Sequence, residues 1–119
     1  MAGGGARGRG IPYLALCERV CEESVQEASR DLERATALAR LAREIADRVR
    51  GPEGWRPRVQ GYAAAHEANV LLAAGQLEAA EAGLIEARRL WSSGSDPGGL
   101  LDPGRLLRFE ATLASSKGG

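Results

Sequence analysis

Residues Gly61–Trp91, GYAAAHEANVLLAAGQLEAAEAGLIEARRLW, read as two helices folded back on each other with Gly75 at the corner. The first half is Ala-rich and ends in glycine, the residue that most readily takes the left-handed conformation closing a helix. The second half repeats apolar residues at Leu77, Ala80, Leu84, Ala87 and Trp91, a one-sided stripe at helical spacing. Small residues at Ala64, Ala68, Ala80 and Ala87 allow the two axes to come close, because no bulky side chain holds them apart.

Upstream, Leu14, Cys17, Cys21 and Ser24 or Val25 share one face of a helix expected over about Tyr13–Ala28, with Glu18, Glu22, Glu23 and Glu27 on the other side. Ser29–Asp31 breaks it, and Asp31 is the expected N-cap of a second helix over Leu32–Arg50. Gly51 and Pro52 are the expected stop, glycine as the left-handed cap and proline as the barrier. A third helix is predicted over Arg58–Ala74 and a fourth over Leu77–Trp91, with Trp55 free to cover the end of the first hairpin. After Trp91 the segment SSGSDPGGLLD is dense in Ser, Gly and Pro and reads as a loop. Asp102 and Pro103 then start a fifth helix that runs to about Ser115. No stretch alternates with period two, so the expected fold is all-α.

The pattern repeats. Leu32, Glu33 and Ala35 correspond to Leu77, Glu78 and Ala80; Ala42-Arg43 corresponds to Ala87-Arg88; Cys21-Glu22 corresponds to His66-Glu67, all at a spacing of 45. At a spacing of 43, Phe109-Glu110-Ala111 corresponds to His66-Glu67-Ala68. Three copies of a first helix and two of a second follow from one register. The domain expected over 11–115 thus divides into a hairpin at 13–50, a second at 57–91 and a lone first helix at 103–115. Tails at 1–10 and 116–119, Gly-rich with nothing to bury, are expected to be disordered.

Ala68, Leu71, Gly75, Leu77, Ala80, Leu84 and Ala87 match the order and spacing of small, large and glycine residues in the tetratricopeptide repeat (TPR) family, which the chain therefore resembles. It departs from that family in having Ala64 where Trp is frequent and Glu67 where Leu is usual, and in lacking the closing proline. Its period also exceeds the family's usual value of about 34. The resemblance implies antiparallel hairpins stacked as a short TPR-like right-handed solenoid, about five helices in two and a half repeats. It also implies a concave groove, lined by helices one, three and five, that receives a partner peptide or helix. Asn69 stands where the family contacts a bound peptide backbone, and Tyr62, His66, Leu72, Arg108 and Thr112 would share that groove.

Leu106, Leu107, Phe109 and Leu113 form an apolar side on the fifth helix, which has no following helix to cover it. Either this helix folds back as its own cap, or a second copy of the chain covers it.

Composition narrows the function. The 119 residues carry 16 basic and 16 acidic groups and no formal net charge, which argues against a general nucleic-acid binder. Lys117 is the only lysine, a bias that reads as GC-rich codon usage. No stretch approaches the roughly 20 apolar residues of a membrane span, and no signal-peptide pattern opens the chain. A cytoplasmic setting, with Cys17 and Cys21 reduced, is the default. Those two thiols and His66 are three soft ligands where zinc usually takes four, so no metal is expected. No phosphate loop, nucleophile–base–orienter set or cofactor motif is present. Together these readings lead to a non-catalytic interaction or scaffold module without cofactors, with a homo-oligomerising structural domain as the alternative and a metal protein or small enzyme using Cys17, Cys21 and His66 as the third reading.

Overall fold

A computed structural model describes residues 10–96 and 99–118. Five helices follow in order: α1 (Gly10–Glu27), α2 (Leu32–Ala46), α3 (Trp55–Ala73), α4 (Leu77–Ser93) and α5 (Gly104–Gly118). There is no strand among the described residues. No described helix is long and apolar enough to cross a membrane.

The helix ends follow from particular residues. Asp31 accepts the Arg34 N–H on its side chain at 3.1 Å, the expected N-cap of α2. At the α3–α4 corner Gly75 takes φ +79°. There the Gln76 N–H reaches Leu71 O and the Gly75 N–H reaches Leu72 O, each at 3.0 Å, so two carbonyls orphaned by the helix end are paired. Asp102 Oδ1 accepts the Gly104 N–H at 2.8 Å where α5 begins.

Of the boundaries that differ from the sequence expectation, three have a clear cause or consequence. Helix α2 stops at Ala46, and Gly51 is not in the left-handed region. Val49, 1 % exposed, is drawn into the core from the connection instead. Gly51 serves a close approach: a Cβ there would stand 1.9 Å from the Trp55 ring, which lies buried across the hairpin end. That same Trp55 opens α3, three residues ahead of the expected start. Finally, α5 continues to Gly118, where a tail was expected from 116; Lys117, in its last turn, is salt-bridged to Glu81 of α4 and suits the helix C-terminus. The tail expected at 1–10 lies outside the described residues except for Gly10, which begins α1.

Helix α3 is the centre. It packs most extensively on α4 and also touches α1, α2 and α5, while α2 and α4 do not meet. Its residues 61–66 are buried without interruption, as a helix surrounded on all sides requires. Against α4 it approaches through small residues. A Cβ on Gly61 would stand 2.6 Å from Trp91 N and 2.7 Å from Ala87 O, and one on Gly83 would stand 3.0 Å from the Ala68 Cβ. The far ends of the two helices are clasped by Ser95 N–H to Gly54 O at 2.9 Å. Arg58 adds a bond to Gly94 O at 3.0 Å, and its guanidinium lies 4.4 Å from the centre of the Trp91 ring.

Leu106, Phe109 and Leu113 of α5 are buried in the same core as Tyr62 and Leu84. These three side chains are thus covered by their own chain. Fully burying Leu106 alone contributes about 2 kcal/mol.

Candidate binding face

The residues expected to line a groove divide into two groups along α3. Tyr62 and His66 are buried, at 6 % and 0 % exposed. They lie in a run of aromatic rings, Tyr62 to His66 at 4.6 Å between centroids and His66 to Phe109 edge-on at 5.1 Å. The reason they are not on an open groove is that α1 and α5 both close on α3. Arg105, in the first turn of α5, bonds Glu22 on α1, tying together the two helices that flank α3.

One turn further along α3 the cover is incomplete. Asn69 and Leu72 are half-buried. Arg108 and Thr112 on α5 are exposed, Thr112 Oγ1 donating to Arg108 O at 2.9 Å. Of the four residues expected to form an association face, Leu107 alone is exposed, at 60 %.

In the sealed part His66 and Cys21 are both held in their neutral forms. His66 Nδ1 lies 2.9 Å from Tyr62 O, an arrangement in which the Nδ1–H donates and Nε2 is left without a partner. Burial holds the ring neutral, lowering its pKa to about 4 against the opposing pull of that hydrogen bond. Cys17 Sγ lies 3.6 Å from Ala42 O. The Cys21 thiol is pushed well up, first by its hydrogen bond with Cys17 and then by burial, which is the reverse of what a nucleophilic or metal-binding cysteine needs. Among the described residues no three His, Cys, Asp or Glu side chains are disposed to hold a metal ion.

The recurring glutamates are ion-paired across helix junctions. Arg43 on α2 bonds Glu67 on α3 at 2.8 Å, and Arg88 on α4 grips Glu110 on α5 through two bonds at 3.1 and 2.6 Å. These two arginines correspond in the 45-residue register of the sequence. Arg105 is the residue that sequence reasoning missed. Its signal was nonetheless there: a cation in the first turn of a helix opposes the dipole and calls for a carboxylate nearby.

Comparison with protein-family models, with curated proteins and with solved structures finds no match to this chain.

Proposed function

We propose that the chain is a TPR-like right-handed stack of two and a half helix hairpins, acting as a non-catalytic module that holds a segment of a partner protein. The observation that carries this reading is the recurrence of one ion pair. Arg43–Glu67 and Arg88–Glu110 join the second helix of each hairpin to the next helix of the stack, as a repeated junction requires. The contact order supports it too, since each odd helix packs on its neighbours and the even helices stay apart.

The partner segment lies along the open end of α3 and α5. Asn69 and Thr112 occupy matching turns there, each two residues beyond a paired glutamate. The Asn69 amide donates and accepts at once, which suits a peptide backbone, and Leu72 supplies an apolar contact. A selection of displayed peptides on the purified chain tests this. Replacing Asn69 and Leu72 together by Ala is expected to weaken the selected peptides at least about tenfold. Binders indifferent to that change would overturn the reading.

Self-association is the second reading, favoured by Ile85 and Leu107, exposed at 65 % and 60 % on α4 and α5. Sedimentation over a concentration series decides it: a dimer that Leu107→Glu dissolves supports it, and a monomer throughout removes it.

A further inference from the structure

At the end of the first hairpin, on a different part of the surface from Asn69 and Leu72, is an open pocket of about 530 Å³ lined by Tyr13, Asp47, Arg48, Arg50 and Arg56. Arg48 and Arg50 follow the last turn of α2, Arg56 is in the first turn of α3, and Tyr13 is near the start of α1. Among the described residues, none of the three guanidiniums has a carboxylate within 4.0 Å. Eight other basic side chains, Arg19, Arg30, Arg34, Arg43, Arg88, Arg89, Arg105 and Lys117, do have one. The comparison with Arg105 is the most telling. Both Arg105 and Arg56 are cations in a first helical turn, where the dipole opposes them; Arg105 is answered by Glu22 and Arg56 by a backbone oxygen only, its Nε donating to Val49 O at 3.2 Å. The single carboxylate in the pocket, Asp47, already accepts a bond from Gln60 Nε2 at 2.9 Å.

We propose that this pocket binds a phosphate monoester dianion, presented as a phosphorylated side chain of a partner polypeptide. Three guanidiniums against one carboxylate leave two positive charges, the match for a phosphate near neutral pH. Planar guanidinium forks bond phosphate oxygens in pairs, and the Tyr13 hydroxyl is a further donor on the wall. A chain with no net charge concentrates cations here without the broad basic surface that tracks a nucleic-acid backbone. The polypeptide source rests on the interaction-module reading above; the anion pocket itself does not.

The test uses the full chain and three probes: inorganic phosphate, a neutral phosphoserine peptide with its unphosphorylated twin, and adenosine monophosphate. Inorganic phosphate is expected to shift the backbone amide resonances of Arg48, Arg50 and Arg56, and an equal ionic strength of chloride to leave them in place. The phosphopeptide is expected to bind at least about tenfold more tightly than its twin, with the Arg48→Gln/Arg50→Gln double variant removing that gain. Both arginines are exposed, so the double variant keeps the fold, and Arg89→Gln, a surface pair elsewhere, serves as the control. Absence of phosphate-induced shifts, or equal shifts in the double variant, overturns the pocket. Tighter binding of adenosine monophosphate than of the phosphopeptide overturns the polypeptide source and leaves the pocket standing. Because none of these readouts involves Asn69 or Leu72, failure of the groove is seen separately from failure here.

Discussion

In the α1–α2 hairpin the Cys17 sulfur lies against the carbonyl of Ala42; in the α3–α4 hairpin the corresponding carbonyl, Ala87 O, faces Gly61. One hairpin is held apart by a side chain, while in the other the backbones meet. Cys17 and Gly61 are 44 positions apart and Ala42 and Ala87 are 45, so the first helix is offset by one residue from the sequence register. The corners do not account for it: the longer one, 28–31, lies in the hairpin whose contact points are closer in sequence, and the shorter, 74–76, in the other, so the offset comes from the packing of the helices themselves. Glu22, which the sequence aligns with Glu67, lies on the first described helix, follows no second helix that could offer the matching arginine, and turns to Arg105 instead. A repeated pattern therefore fixes which faces meet only to within one residue, and the side chain or glycine at the point of contact decides the rest.

The contrast can be broken most sharply at its contact points. Gly61→Ala puts a methyl into backbone atoms of α4 that cannot step aside, and is expected to cost about 3 kcal/mol in chemical denaturation. Cys17→Ala, at the matching point, removes only a sulfur and is expected to cost about 1 kcal/mol. Equal losses would mean that the hairpins are packed alike.

Acid should loosen the α3 side first. His66 is held neutral when folded, with its pKa below the unfolded value, so the unfolded chain binds the extra proton. The contribution is intact above about pH 6.5 and declines as the pH falls toward 4; at pH 5 about 2 kcal/mol is expected to be gone. His66→Phe should flatten this part of the stability profile between pH 7 and 5.

The two corners come next. Gly75→Ala meets no neighbouring atom within 4 Å, so its expected loss of about 1 kcal/mol is the backbone cost of a left-handed residue bearing a Cβ. Asp31→Ala is expected to cost about 1 kcal/mol as well, through a lost N-cap. Thermal melts of both would show whether opposite ends of a helix, capped by different chemistry, carry equal weight.

The smallest effect is at the ion pairs. Both are more than a third exposed and are screened by solvent, so double-mutant cycles are expected to give only about 0.5 kcal/mol, the two-bond Arg88–Glu110 pair exceeding Arg43–Glu67. Reversal of that order would show that bond number does not set the junction's strength.

Much of the fold was legible because its signals are local. Asp31, Gly75 and Asp102 each act within a few residues, and the stripe from Leu77 to Trp91 falls on one buried face apart from the half-exposed Leu77. The end of α2 was not legible: nothing between Ala46 and Gly51 breaks a helix, and the segment departs from it to bury Val49 and make room for Trp55. The site was half legible. Asn69 and Leu72 kept partial exposure, but Tyr62 and His66 were sealed by a contact between residues 83 positions apart, which no local pattern announces. The arginine pocket was hidden for a related reason: Arg48 and Arg50 fall within the helix expected to reach Arg50, which the chain ends at Ala46.

A row of helices stacked only on near neighbours frays from whichever end is weaker, each unit melting on its own terms. The Arg105–Glu22 strap bridges the first and last described helices across α3, adding a weak link that a row of near-neighbour contacts lacks. Cutting it with Glu22→Gln should quicken amide exchange slightly in both α1 and α5, by no more than a few-fold.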